Sequence, residues 1–349
     1  MTQLIVWVFG CSHVTHDVSG GFNTVRDAIA DAEAVGFDIA VNLGDVTGLG
    51  LPSADDGAVW LSQVNSGLSS HIAEDIYSIC GNHDRTAERG VNSGSWFRRF
   101  VDPLGEFPRQ SGINKARRPY AINGDWQRYN IKIGNLRLLF ISDINRSKNP
   151  GRSNTDGDPG GVVTSGTVKW WESQLSRASD AGEIAITFAH YLPRDTTTAT
   201  GRYEGGTLDD AGNYSPFYHG PGSTMGKCSS YLAFVDSKEG RPFIDYMEQN
   251  PGLCALWVGA HNHVKPEKEV GGKGHVETLH GCTFIQNGAL TRLHHSRAKE
   301  RYPRSQFFTF TSGSSTASMR TYYHEDTDYS SRGLAQASTA LSLPRAFVV

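Results

Sequence analysis

Five short polar clusters carry the chemistry of this chain: Gly10-Cys11-Ser12-His13, Gly44-Asp45, Gly81-Asn82-His83-Asp84, His190 and His261-Asn262-His263. Imidazole, carboxylate and carboxamide groups together form a donor set for transition-metal ions. A dinuclear hydrolytic site needs one anionic ligand shared by two ions, with neutral imidazoles completing each shell. Asp45 has the two oxygens for the shared position. His13 and His263 suit one shell, joined by Cys11 when it is ionised. Asn82, His190 and His261 suit the other. His83 follows Asn82 and so falls beside the ions, where it can stabilise or protonate a leaving oxygen, with Asp84 holding its ring.

Each cluster stands where an apolar run ends. Residues 4–9, 38–43, 75–79, 183–189 and 253–258 read as buried parallel strands, whose carboxyl ends converge on one crevice. Helical spacing over 23–35, stopped by Gly36, and a second helix over 55–69 link the first three strands by right-handed crossovers. Further helices are expected over 96–101, over 165–178 (opened by Thr164 and carrying Trp170-Trp171) and over 242–249. Strand patterns cover 119–122, 125–133, 136–143, 277–279, 283–286, 306–311 and 317–324, with tight turns at Asn123-Gly124 and Gly134-Asn135. Residues 192–229 lack periodicity, contain Tyr203, Tyr214 and Tyr218, and follow directly on His190, so a lid is expected there. Residues 1–329 are then one domain, and 330–349 a tail that wraps the surface.

Composition narrows the function. With 349 residues and 38% hydrophobic content the chain can bury a large core. Its 33 basic and 36 acidic residues give a net charge of −3, so no global field favours nucleic acid or an anionic membrane. The first strand begins by Leu4, and no apolar run reaches the length of a membrane span. A cytoplasmic protein is the expectation. The cysteines (Cys11, Cys80, Cys228, Cys254 and Cys282) are odd in number, scattered and without a C-x-x-C pair, which argues against a disulfide framework or zinc knuckle. Cys254 reads as a small core residue. Serine-hydrolase elbow, Walker loop and dinucleotide fingerprint are all missing.

The five blocks, in this order, resemble the calcineurin-like metallophosphoesterase superfamily. Its pattern runs Asp-x-His, Gly-Asp-x-x-Asp, Gly-Asn-His-Asp/Glu, a lone His, then Gly-His-x-His. The match extends from His13 to His263, and Gly81-Asn82-His83-Asp84 is its most specific piece. The resemblance implies an α/β (α+β) fold: a four-layer α-β-β-α sandwich of two mixed sheets flanked by helices, with the metal site at the carboxyl ends of the central strands. It also implies two divalent transition-metal ions (Zn, Mn or Fe) and hydrolysis of a phosphoester small molecule or nucleotide by a bridging hydroxide. The stretch around Asp143 and the Trp170-Trp171 helix look like that family's middle section.

Three positions depart from the pattern. Cys11 stands in place of the first Asp, Gly48 in place of the second block's last Asp, and Ala260 in place of a Gly. The Tyr that marks purple acid phosphatases is missing at position 48. A Cys11 thiolate is a softer ligand that favours Zn or Fe over Mg or Mn, whereas a thiol would weaken the first metal position. The expected activity is a metal-dependent phosphodiesterase. The alternatives are a phosphomonoesterase, a nuclease with a local basic groove, or a degenerate member that keeps the fold as a binding scaffold. Arg117-Arg118 read as a surface turn and His294-His295 as a solvated loop near Arg292 and Arg297. His16 and Asp17 are equally readable as support for the ligands or as loop residues.

Overall fold

Strand β1 (Gln3–Phe9) sets the layering through its period of two. Leu4, Val6 and Val8 enter one apolar core while Trp7 and Phe9 enter another, so β1 is covered on both faces. The computed structural model describes residues 2–14, 24–47, 52–84, 94–142, 161–201, 241–292 and 302–349, with short strands at 87–88, 91–92, 206–208, 214–216 and 232–234.

After β1 the chain forms α1 (Thr24–Val35), β2 (Ile39–Asn42), α2 (Ala54–Gly67), β3 (Ile76–Ser78) and the ribbon β4 (Ala87–Glu88) and β5 (Val91–Asn92). It continues through α3 (Ser95–Phe100), α4 (Pro108–Ser111), β6 (Asn123–Asp125), β7 (Arg128–Ile133) and β8 (Leu136–Ile141). Then come β9 (Gly161–Val163), α5 (Ser165–Asp180), β10 (Ile184–Ala189), β11 (Gly206–Leu208), β12 (Tyr214–Pro216) and β13 (Leu232–Phe234). The last third holds α6 (Pro242–Gln249), β14 (Cys254–Gly259), β15 (Val276–Leu279) and β16 (Cys282–Gln286). It ends with β17 (Arg304–Thr311), β18 (Thr316–Tyr323), β19 (Gly333–Leu334) and β20 (Thr339–Ser342).

Two mixed seven-stranded sheets result. One runs β19-β18-β17-β1-β2-β3 with β20 also on β18; the other runs β15-β16-β14-β10-β8-β7-β6. Between them lies a core that includes Val6, Val41, Tyr129, Leu138, Ile186, Leu256 and Phe308. Helices α1, α2 and α3 cover the outer face of the first sheet through Ile29, Trp60 and Phe97. Helices α5 and α6 cover the second through Trp171, Leu175 and Phe243, packed on Trp257. This is the expected four-layer sandwich. Among the described residues no helix is long and apolar enough to cross a membrane.

Local chemistry accounts for the helix starts. Ser53 and Asp56 form a reciprocal capping box on α2, and Thr164 caps α5 as expected. Four expectations are corrected. Residues 119–122 form no strand, and the first turn lies at Trp126-Gln127 rather than Asn123-Gly124, because Asp125 Oδ1 accepts the amides of Gln127 (2.8 Å) and Arg128 (3.1 Å). The segment 330–349 is no surface tail: β19 and β20 pair with the free edge of β18, and Leu341, Leu343 and Phe347 enter the inter-sheet core. Arg118 is buried rather than on a surface turn; it donates to the carbonyls of Glu74 (2.7 Å) and Ile76 (3.0 Å) at the amino end of β3, away from Asn82.

Candidate metal centre

The clusters meet although their strands belong to different sheets: β1, β2 and β3 deliver the first three, and β10 and β14 the last two. Backbone bonds tie the loops together. Cys11 N donates to Gly44 O (2.8 Å), His13 N to Asp45 O (3.1 Å), Ala260 N to His190 O (2.9 Å) and Thr291 N to Cys11 O (3.0 Å). Glycine is required where the second and third loops touch. A Cβ on Gly44 would lie 2.4 Å from Gly81 N, and one on Gly81 would lie 2.2 Å from Asp45 Oδ1. Cys11, His13, Asp45, His261 and His263 all hold left-handed backbone, with φ of 51°, 44°, 55°, 67° and 45°. For residues with a Cβ this conformation is costly, and such strain gathers at functional sites.

Two donor groups form in the crevice. Cys11, His13 and His263 make one; Cys11, Asp45 and His190 make the other, and within each the ligand atoms lie within 4.8 Å of one another. His190 Nε2 is 3.0 Å from Asp45 Oδ2 and 3.3 Å from His261 Nδ1, which brings His261 to the second group. These spacings match the edge of a tetrahedron of metal bonds, about 3.3 Å for bonds of ~2.0 Å. All these residues are buried. Asn82 is buried at the carboxyl end of β3, and the amide of its neighbour His83 donates to Asp45 Oδ1 at 2.8 Å.

Carbonyls 34 and 147 residues away set the imidazole tautomers. His13 Nδ1 donates to Thr47 O at 2.6 Å and His190 Nδ1 to Leu43 O at 2.7 Å, which leaves each Nε2 as the inward donor. Burial, then the neighbouring His83, push His13 down to about 3, so its imidazole is neutral. Burial alone would lower His190, but the Asp45 carboxylate outweighs it and holds His190 above its ordinary value. Burial would raise Asp45, yet His190 and His83 keep it well below the usual carboxylate range. Burial and then Asp45 push the Cys11 thiol well above its usual range.

Cys11, His13, Asp45, His190, His261 and His263 are therefore together, with two differences in placement: Cys11 belongs to both groups rather than to the first alone, and Asp45, expected in both, joins the second alone. The ring of His83 stands edge-on to His13, with centroids 5.0 Å apart, and its Nδ1 is buried without a hydrogen bond among the described residues. Asp84 does not hold that ring. Its two oxygens take the amides of Gly81 (2.9 Å), Asp45 (2.8 Å), Val46 (2.7 Å) and Thr47 (3.2 Å), so it clamps two loops instead. Sequence reasoning missed Tyr191, whose ring lies 4.0 Å from that of His261; its one signal was its place beside His190.

Part of the expected lid is a fixed ledge. Residues 192–201 are mostly buried: Thr198 N donates to Gly274 O (2.8 Å), and Asn262 Nδ2 donates to Ala199 O (3.3 Å). The remainder of the 192–229 segment, apart from β11 and β12, lies outside the described residues, as do His16, Asp17, Gly48, Asp143, Tyr203, Tyr218, Cys228, His294, His295 and Arg297.

The residues present fit a pair of divalent ions: buried imidazoles, two of them with fixed tautomers, a depressed carboxylate and a sulfur converge from four loops. No protein-family model and no curated protein matches the sequence. Solved structures do. A dimetal phosphatase from Danio rerio matches with a TM-score of 0.51 at 11% identity, over 97% of this chain and 98% of that one. A purple acid phosphatase from yellow lupin (Lupinus luteus) seeds also gives 0.51, at 13% identity, over 98% of this chain. The chain spans about half of the lupin protein, 54% of its length. At such identities the likeness establishes the fold, which is that of the calcineurin-like metallophosphoesterases.

Proposed function

We propose that this chain is a metal-dependent phosphoester hydrolase that prefers diesters of small molecules or nucleotides. The observation that carries the reading is the pair of buried donor groups joined at Cys11, with Asp45 in the second and His83 beside them. Cys11, His13 and His263 hold one ion; Asn82, His190 and His261 hold the other; Asp45 is shared. When bound, the two ions supply Lewis acidity at the phosphoryl group and a water acidic enough to attack near neutral pH.

The chain's own residues do the rest. His13 and His190 each aim Nε2 at the crevice because each spends its Nδ1–H on a carbonyl. His83 faces the phosphoryl oxygens, offsets charge on them and gives a proton to the leaving oxygen. Burial of the whole set keeps bulk water from screening these interactions. Support for diesters comes from position 48, where Gly replaces the tyrosine of the purple phosphatase pattern. The two structures reported above are named phosphatases, so monoester cleavage is the reading to be separated from it.

The test is turnover of a chromogenic bis-aryl phosphate against the aryl monoester, on protein reconstituted with Zn, Mn or Fe. Faster diester turnover, abolished by chelator and by His83→Ala, is expected. Faster monoester turnover would overturn the diester preference. No turnover with any ion would overturn the enzyme reading in favour of a scaffold.

A further inference from the structure

Cys11 Sγ is the only ligand atom among the described residues that belongs to both donor groups; His13 and His263 complete one, Asp45 and His190 the other. We propose that Cys11 is a bridging ligand, a thiolate shared by both metal positions, which makes this centre selective for thiophilic divalent ions over Mg and Mn. The proposal rests on the metal-centre reading above and specifies its ligand field.

Three features support the bridge. Bonds of about 2.3 Å to sulfur and about 2.1 Å to nitrogen put two ligands of one ion about 3.6 Å apart, and the ligand atoms of each group already lie within 4.8 Å of one another. Sulfur carries several lone pairs, so a single atom can bind two ions, and one-atom bridges suit ions about 3.5–4 Å apart. The backbone already treats Sγ as an acceptor: the His261 amide, on the loop that bears two of the ligands, donates to it at 3.2 Å. Such amide bonds favour the anionic form of an acceptor.

The direction of Sγ is built in. Cys11 takes its left-handed φ of 51° between two backbone bonds, its amide to Gly44 O and its carbonyl from the Thr291 amide. Those bonds fix the Cα–Cβ vector into the gap between the two sheets. On loading, the Sγ–H bond breaks, sulfur keeps the electron pair to bind the ions, and the proton leaves to solvent. Softness then sets the choice of ion, because thiolate prefers zinc, ferrous iron or cobalt, whereas hard Mg and Mn prefer oxygen.

The experiment is titration of the metal-free full chain with Co²⁺, following the near-ultraviolet sulfur-to-cobalt charge-transfer band alongside metal analysis. Two ions are expected to bind, with the band growing about equally through the first and second equivalents. Cys11→Asp should still bind two ions, lose the band, and strengthen binding of Mn²⁺ relative to Zn²⁺ on the order of tenfold or more. A band complete at one equivalent while two ions bind would make Cys11 a terminal ligand and overturn the bridge. Two ions without a band, or a band that persists in Cys11→Asp, would remove Cys11 from the centre but leave the hydrolase reading standing. Failure to bind any cobalt would overturn both.

Discussion

Asp84 Oδ2 accepts the Asp45 backbone amide at 2.8 Å, so one carboxylate holds the backbone of another. Together with the amides of Gly81, Val46 and Thr47, this bond welds the loop after β2 to the loop after β3. Asp84 is thus a positioning residue. Burial, followed by the charge of Asp45, pushes it up to about 6 against the pull of the Gly81 and Thr47 amides.

An Asp84→Asn variant replaces one acceptor oxygen with a donor that faces amides. The expected loss is about 1–3 kcal/mol of folding stability and about 10–100-fold of metal affinity. Urea unfolding and metal titration check this. A variant that kept both would show that the clamp is redundant.

His83→Ala should behave in the opposite way. Metal content and unfolding midpoint stay near those of the wild type while kcat falls about 10²–10⁴-fold, most for esters with poor leaving groups. Comparing substrates of graded leaving-group pKa reads this out. An equal fall across the series would assign His83 to charge stabilisation alone.

Metal should lend the fold stability, because five ligand-loop residues hold left-handed backbone that ions can stabilise but solvent cannot. At ion concentrations 100 times Kd, each site adds about 2.7 kcal/mol. Thermal unfolding with and without chelator is the measurement. The shift should shrink by about one site's worth in His263→Ala or in His190→Ala.

A Ser-His-Asp alignment away from the metal centre is structural. Trp7 Nε1 donates to Ser305 Oγ (2.8 Å), Ser305 Oγ meets His324 Nε2 (2.9 Å), and His324 Nδ1 meets Asp31 Oδ2 (2.9 Å). Ser305 is fully buried in β17, so its hydroxyl cannot meet a substrate. Burial is the main cause that lowers His324 below its usual 6.5, with Arg292 and Arg332 adding to it against Asp31. Burial raises Asp31, but hydrogen bonds from His324 and Arg332 outweigh it and leave Asp31 low.

Those two shifts, alongside that of His13, contribute to the pH dependence of stability. The unfolded chain gains a proton at His324 near 6.5, and the folded chain only at lower pH, so stability declines as pH falls below 6.5. The Asp31 contribution is present above its unfolded value of 3.8 and is lost at still lower pH. Urea midpoints across this range should show the upper limb flattened in His324→Gln. Ser305→Ala should cost about 1 kcal/mol and leave hydrolysis unchanged.

The parts of this protein legible in one dimension are those with local causes. The apolar runs before Cys11, Asp45, Asn82, His190 and His261 are strands because each is a short window of buried residues, and the donor types at their ends already spelled out metal chemistry. The helix over Pro242–Gln249 was readable for the same reason. The turn at Trp126-Gln127 was missed because a hydrogen bond from Asp125, rather than glycine content, fixes it. The last twenty residues carry no clear period, and only the open edge of β18 gives them strand structure.

What tertiary structure alone decided is partnership across the chain. Sulfur of Cys11 meets the amide of His261 across 250 positions, and His190 finds the Leu43 carbonyl across 147. Asp84 turns away from its neighbour His83 to amides on another strand's loop. The physical reason is that a hydrogen bond depends on distance and direction. Those are set by how two twisted sheets stack over their shared core, which no short window of sequence encodes.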